Sequence, residues 1–202
     1  MVERGVGVLF VGSGKLVVLA GPSGVGKGAV ISELLKSKEN LKVSVSATTR
    51  KKRDGEKEGL DYFFKTVSEF EALIQGDMLL EYASYNSNYY GTPKKGVMDA
   101  LSAGRDVVLE IEVQGALQIK AKRIGAVLIF LSPPSMEELE KRLRGRGTET
   151  ETNIKKRLEI ARQEMKSMSE FDHVIVNNNS KEAACELLAR VFGEKGGSAW
   201  GD

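Results

Sequence analysis

The amino-acid sequence predicts an α/β fold whose core is a doubly wound, parallel sheet. Four short apolar runs have the Val, Leu and Ile content of strands that are buried on both faces. Segments with helical periodicity alternate with these runs, and a glycine-rich turn joins the first run to the first helix. The four runs are KLVVLA (15–20), VVLEIEV (107–113), AVLIFLSP (126–133) and HVIVN (173–177).

The first apolar run leads directly into the glycine-rich turn AGPSGVGKGAV (20–30). Gly21, Gly26 and Lys27 match the first seven positions of G-x-x-x-x-G-K-[ST], the P-loop, whose backbone N–H groups bind phosphate oxygens. An amphipathic helix pattern follows at once, which favours a P-loop over a plain turn. Gly28 stands where Ser or Thr would reach a metal ion. We therefore expect Mg²⁺ to be held by phosphates, water and more distant carboxylates.

The middle of the chain has a different pattern. From 43 to 90, short alternating stretches surround one helical segment, which predicts a small mixed lobe that is β-rich with one helix. The remaining helical patterns are QGALQIKAKRI (114–124) and a last segment that ends near Phe192. The tail GEKGGSAWGD (193–202) has no periodicity, and we expect it to be disordered.

Composition places this chain of 202 residues among ordinary globular proteins with one buried core. Hydrophobic residues make up 41% and charged residues 29%, and a net charge of +2 argues against nucleic acid and anionic membranes as partners. No apolar run approaches the ~20 residues of a membrane span. The single cysteine, Cys185, excludes an intrachain disulfide. These observations predict a cytoplasmic protein.

A basic cluster, RKKR (50–53), follows the alternating stretch KVSVSATT. Such a cluster by itself is typical of a solvated loop or of a nucleic-acid patch. Here, however, Arg50 and Arg53 lie on a loop after a predicted strand, where two guanidinium groups are placed to bind a second phosphate.

In this order, the motifs GPSGVGKG, SVSATTR..R, DGEKEGLDYFF, LLEYA, NYYGTP, LEIEVQGA, LSPPS, RLRGRGTET and FDHVIVN resemble those of guanylate kinases, within the nucleoside monophosphate kinases. The resemblance covers about Lys15 to Phe192. It implies a P-loop core, a GMP-binding lobe and a mobile helical lid. It also implies the Mg²⁺-dependent reaction ATP + GMP ⇌ ADP + GDP in purine metabolism, with dGMP as a further substrate, carried out by a monomer or small homo-oligomer.

The resemblance divides the chain into seven segments. They are an N-terminal extension (1–14), core with the P-loop (15–44), the GMP-binding lobe (45–95), core (96–144), the lid (145–156), core (157–192) and the disordered tail (193–202).

The resemblance assigns guanine recognition to Glu81, Ser46 and Thr92. Guanine presents two donors, N1–H and the amino group, beside the acceptor O6. A carboxylate accepts from both donors, and a hydroxyl donates to O6. A site built on such hydrogen bonds discriminates between bases by ~10⁴ or more. The resemblance assigns the GMP phosphate to Arg50, Arg53, Tyr62 and Tyr90.

The resemblance also assigns residues to ATP and to phosphoryl transfer. ATP contacts are expected from Gly21, Pro22, Ser23, Gly24, Val25, Gly26, Lys27, Gly28, Ala29 and Asn177. The catalytic residues implied are Lys27, Arg50, Arg146 and Arg157, with both later arginines carried by or beside the lid. Glu110 and Glu112 end a buried strand and are implied in GMP binding. Similar enzymes usually have Asp at these positions, one of which contacts GMP and the hydrated metal. Ala29 stands where Thr is common.

Two other functions stay open at this point. One is a guanylate-kinase-like interaction module that binds peptides without catalysis. Such modules tend to lose the P-loop lysine or the lid arginines, and this chain keeps them. The other is an RNA- or DNA-binding protein that uses the basic cluster, which the near-neutral net charge disfavours.

Overall fold

The computed structural model describes residues 14–85, 87–145 and 150–194, which form two sheets and seven α-helices. The strands are β1 (Leu16–Ala20), β2 (Leu41–Val43), β3 (Ala47–Thr48), β4 (Phe63–Phe64), β5 (Leu79–Tyr85), β6 (Asn88–Pro93), β7 (Asp106–Glu110), β8 (Val127–Ser132) and β9 (His173–Val176). The helices are α1 (Lys27–Ser37), α2 (Val67–Gln75), α3 (Lys94–Ser102), α4 (Val113–Lys122), α5 (Met136–Gly145), α6 (Glu151–Met165) and α7 (Ser180–Phe192). Among these helices, none combines the length and the hydrophobicity that crossing a bilayer requires.

The larger sheet is parallel throughout, with the strand order β2-β7-β1-β8-β9. β1 lies at its centre, where a strand is covered on both faces, and all five of its residues are accordingly apolar and buried. Alternate side chains of β1 point to opposite faces: Val18 packs with helices α3 and α4, and Val17 packs with α1 and α7. Helices therefore cover both faces, and the predicted doubly wound core is confirmed.

The smaller sheet has the order β4-β3-β6-β5 and is mixed, since β3 pairs in parallel with β4 and antiparallel with β6. Helix α2 covers it through Phe70, which packs with Ala47 and Leu79. A capping box starts α2, because the Thr66 hydroxyl accepts from the Glu69 N–H while the Glu69 carboxylate accepts from the Thr66 N–H. The predicted β-rich lobe with one helix is confirmed, and its strands lie within 45–95.

Helices α5 and α6 form a third packed unit, in which Leu139 and Leu143 of α5 meet Ile154 and Leu158 of α6. Helix α6 runs without a break through 156 and 157, where the expected lid would end and the core resume. The boundary expected between lid and core thus falls inside one continuous helix, and the lid itself stays a prediction.

One boundary of the prediction was wrong. The run VVLEIEV was expected to be a single strand, but β7 ends at Glu110 and Val113 already begins α4. Ile111 and Val113 are both buried, so the apolar run continues through the loop and into the first turn of the helix. Residues 1–13 and 195–202 lie outside the described part of the chain. All but the first two residues of the predicted disordered tail (193–202), Trp200 included, lie there.

Candidate active site

The loop between β1 and α1 has the backbone geometry that its glycines permit. Gly26 has φ 101° and caps α1, a conformation that L side chains rarely adopt. A Cβ at Gly21 would lie 2.2 Å from the carbonyl oxygen of Leu131 in β8, so only glycine allows this approach. The Lys27 ammonium donates to the Gly21 carbonyl at 2.7 Å. The loop thus closes on itself above the N-terminus of α1, as a phosphate-binding loop does.

Two side chains that are distant in sequence, Asn177 and Arg142, donate hydrogen bonds to the backbone of this loop. The Asn177 amide donates to the Val25 carbonyl at 2.7 Å, and Arg142 donates to the same carbonyl at 3.2 Å. Arg142 also donates to the Asn177 carbonyl at 3.0 Å. Asn177 was expected to hold the adenine. It is buried beneath the loop, and within the described residues its Oδ1 has no hydrogen-bond partner. Sequence reasoning missed Arg142 because KRLRGRG contains several arginines that no local pattern ranks.

A cavity of about 660 Å³ lies between the P-loop, the carboxyl end of β7 and the smaller sheet. It brings together residues that lie far apart in the sequence. The expected site residues that line it are Ser23, Gly24, Gly26, Lys27, Gly28, Ala29, Ser46, Tyr62, Glu81, Tyr90, Glu110 and Glu112.

Glu81 lies on β5 at one end of this cavity and is only 4% exposed. Its Oε1 accepts a hydrogen bond of 2.6 Å from the Thr92 hydroxyl. Burial raises the pKa of Glu81 to about 7, although the Thr92 hydrogen bond and the charge of Lys122 act in the opposite direction. Thr92 is fully buried. Its hydroxyl donates to Glu81, and the contact with guanine that the sequence analysis expected stays a prediction.

Arg50 is paired with a residue that the sequence analysis did not assign. Its two terminal nitrogens donate to the Glu56 carboxylate at 2.6 and 3.1 Å, and the Arg53 N–H donates to the same carboxylate at 2.8 Å. The guanidinium carbon of Arg50 lies 5.4 Å from the centre of the Tyr62 ring, which meets Tyr90 edge-on at 6.1 Å. The expected phosphate-binding residues are thus adjacent, although the Arg53 side chain is exposed.

Two carboxylates lie at the carboxyl end of β7, Glu110 as its last residue and Glu112 two residues later. The Glu110 oxygens lie 3.8 and 3.9 Å from the position that a Cβ at Gly28 would occupy, so they lie beside the space of the missing hydroxyl. Burial raises the pKa of Glu110, against the opposing charge of Lys27. Glu112 faces Glu164 of α6, which sequence reasoning missed. The pKa of Glu164 is raised to about 7, mainly because the carboxyl is buried and also because the negative charge of Glu112 lies nearby.

Helix α6 also reaches the P-loop directly. Arg157 donates to the Ser23 hydroxyl at 3.2 Å, so one of the two expected lid arginines already contacts the phosphate-binding loop. Arg146, the other, lies outside the described residues.

The guanylate kinase family model matches residues 13–195. A guanylate kinase of Synechococcus sp. (strain JA-3-3Ab) is 52% identical over 179 residues, which cover 89% of this chain and 82% of that protein. A guanylate kinase of Streptococcus thermophilus (strain CNRZ 1066) is 55% identical over 180 residues, which cover 89% and 86%. The crystal structure of guanylate kinase from Anaplasma phagocytophilum matches with a TM-score of 0.73 and 34% identity, over 93% of this chain and 89% of that one. Sequence, fold and site geometry agree, and the chain belongs to the guanylate kinase family.

Proposed function

We propose that the protein transfers the γ-phosphoryl group of ATP to GMP, giving ADP and GDP. The observation that carries the proposal is the shared cavity, in which the buried carboxylate Glu81 and the P-loop lysine Lys27 occupy one continuous space. A base reader and a phosphate-binding loop in one cavity are what transfer between two nucleotides requires.

Glu81 supports the choice of guanine. As a carboxylate it accepts from N1–H and from the amino group, while Ser46 at the same cavity supplies a hydroxyl for O6. Adenine presents the opposite polarity at this edge and would offer the buried Glu81 no donor from the base in place of N1–H and the amino group. The proposal extends to dGMP, because neither the base contacts nor the phosphate contacts involve the ribose hydroxyls.

The phosphate of GMP is proposed to lie between Arg50, Arg53, Tyr62 and Tyr90. Its oxygens would replace the Glu56 carboxylate on Arg50, since both anions suit the two parallel N–H groups of a guanidinium. The aromatic rings beside Arg50 limit the entry of water, which strengthens these hydrogen bonds.

The β- and γ-phosphates of ATP are proposed to bind the P-loop N–H groups and Lys27, which would leave the Gly21 carbonyl. Arg157 adds positive charge from α6 when the site closes, and Arg146 is proposed to act with it. Asn177 was expected to contact adenine; because its side chain is buried beneath the P-loop and donates to the Val25 carbonyl, we propose that it affects ATP binding through the position of this loop.

Mg²⁺ fits the donors that surround the P-loop. The described residues contain no cluster of three or more His, Cys, Asp or Glu side chains suited to a metal. Glu110 nevertheless offers carboxylate oxygens beside Gly28, and oxygen is the donor that Mg²⁺ prefers. We infer that phosphates and water hold the ion, with Glu110 facing its water shell. Bound there, Mg²⁺ neutralises charge on the transferring phosphoryl group.

We propose that the protein acts as a monomer or a small homo-oligomer. We propose a role in purine nucleotide metabolism in the cytoplasm, where ATP and nucleoside monophosphates are available.

A coupled assay of ADP release with ATP and GMP, AMP, CMP or UMP tests the proposal. We expect turnover with GMP far above that with the other three. Lys27→Ala should lower kcat by about two to three orders of magnitude while GMP still binds, because charge on the migrating group goes uncompensated. Lys36→Ala, an exposed change on the same helix, is the control. GMP binding by the wild type without turnover would instead identify an interaction module.

A further inference from the structure

We infer that one face of α4 sets the position of Glu81, and that Gln118 on this face is a positioning residue for base selection. The inference rests on the proposed function, since it concerns how the same enzyme distinguishes guanine from other purines. The face consists of Gly115, Gln118 and Lys122, which the spacing of three and four residues places on one side of the helix.

Gln118 fixes the residue that follows Glu81. Its side-chain amide donates to the Tyr82 carbonyl at 2.7 Å, and the Tyr82 N–H donates back to its Oε1 at 3.2 Å. β5 is an edge strand that pairs only with β6 within the described sheet. Gln118 therefore satisfies the backbone groups that a further strand would otherwise pair, and it ties β5 to the core.

Lys122 fixes the residues that precede Glu81. Its ammonium donates to the Leu80 carbonyl at 2.5 Å and to the Leu79 carbonyl at 3.3 Å. Its positive charge also faces Glu81 and opposes the rise in the pKa of that carboxyl. The backbone is thus held on both sides of Glu81 by side chains of one helix.

Gly115 makes room for the carboxyl group itself. A Cβ at this position would lie 2.3 Å from the Glu81 Oε2 and 3.0 Å from its Cδ, so the carboxylate occupies the space of the absent side chain. Thr92 holds the other oxygen. One carboxyl oxygen thus accepts from Thr92 and the other lies close beside Gly115, and these contacts favour one orientation of the carboxyl plane.

Fixing this plane matters most for a ligand that uses both oxygens. GMP offers N1–H and the amino group, whereas inosine monophosphate offers N1–H alone. A loosened Glu81 can still turn to meet one donor, but it meets two only in the correct plane, and small displacements of a positioned group are costly. The α4 face is therefore a determinant of the GMP preference over inosine monophosphate.

The test compares kcat/KM for GMP and inosine monophosphate in the wild type and in Gln118→Met, which keeps side-chain length and helix propensity but removes both hydrogen bonds. We expect a loss of about tenfold with GMP, mostly through KM, and a loss of less than about threefold with inosine monophosphate. Lys120→Met is the matched control, because Lys120 lies on the same helix but pairs with the exposed Glu170. This control should leave the ratio of kcat/KM for GMP to kcat/KM for inosine monophosphate unchanged.

Equal losses in kcat/KM with the two substrates, which leave the ratio of the two values unchanged, would overturn the inference. Gly115→Ala provides a second measurement should Gln118→Met not fold, and it should shift the ratio in the same direction. The KM for ATP and the melting temperature report whether the core is intact. Failure of the proposed function would be visible separately, as absence of GMP phosphorylation by the wild type.

Discussion

Glu81 combines two properties that oppose each other at neutral pH. The proposed guanine recognition requires its charged form, while burial raises its pKa to about 7. Burial therefore opposes the charged form, which is the form that accepts from the two guanine donors.

We predict that kcat/KM for GMP rises with pH up to about 7 and then levels off, since this parameter reports ionisations of the free enzyme. The GMP phosphate titrates near 6 and contributes to the rise. Glu81→Gln should therefore keep the phosphate part of the profile and lose the part near 7. A variant profile that matches the wild type would contradict the assignment.

The same ionisation affects stability, with a definite sign. The folded state keeps on Glu81 a proton that the unfolded state releases, because the pKa is raised from 4.5 to about 7. The free energy of unfolding therefore falls as pH rises through this interval. Glu81→Gln should therefore raise the melting temperature above that of the wild type, and this increase should be larger at pH 8 than at pH 5. Thermal unfolding of both proteins at the two pH values would measure it.

Residue chemistry explains which site residues the sequence could predict. Lys27, Glu81 and Glu110 follow from motif position together with the chemistry of phosphate and guanine. Glu56 and Glu164 do not, because a carboxylate's partner is set by which elements approach it in the fold. Glu164 lies on α6, far along the chain from Glu112, and its neighbours in sequence carry no sign of the pairing.

At the scale of elements, the P-loop depends on α5 and on the residue that follows β9. Arg142 and Asn177 both donate to the Val25 carbonyl, so the turn of the loop is fixed from outside. The glycines make this turn possible, and the two donors select it from the conformations that glycine permits.

Arg142→Met should therefore raise the KM for ATP by about tenfold, since a loop that samples several conformations must be ordered on binding. The KM for GMP should change by less than about twofold. Steady-state kinetics with each nucleotide varied would measure both values. Lys141→Met, an exposed change on the same helix, is the control. A similar rise for both substrates would indicate general damage to the fold.

Element boundaries were predicted well where periodicity and burial agree, as in β1 and α7. The predicted boundary failed at the end of β7. Ile111 is buried in the loop after the strand, and Val113 is buried in the first turn of α4. Apolar content alone does not separate these cases. The pairing of α5 with α6 also has no local signal, because it depends on which faces meet.

For the molecule as a whole, two side chains that are proposed to bind phosphate have internal partners. Lys27 donates to Gly21, and Arg50 donates to Glu56. Bound phosphates would take over these donors, and this exchange favours an arrangement in which the two sheets and the α5–α6 pair enclose both nucleotides.

We predict that a bisubstrate analogue lowers the radius of gyration in solution scattering, and that GMP or ATP alone has a smaller effect. Closure also excludes water, which would otherwise accept the phosphoryl group. A radius of gyration unchanged by the analogue would contradict a mobile lid.

The Arg50–Glu56 pair has a further consequence, for anions other than the substrate. Glu56 is tethered six residues from Arg50, so it competes at a high effective concentration with any anion that approaches. Inorganic phosphate must displace it unaided, whereas GMP also binds through its base. We therefore predict that the pair weakens the binding of inorganic phosphate more than that of GMP. Removing it in Glu56→Gln should make inorganic phosphate a stronger inhibitor competitive with GMP, and an unchanged inhibition constant would leave Glu56 as no more than a structural partner of Arg50.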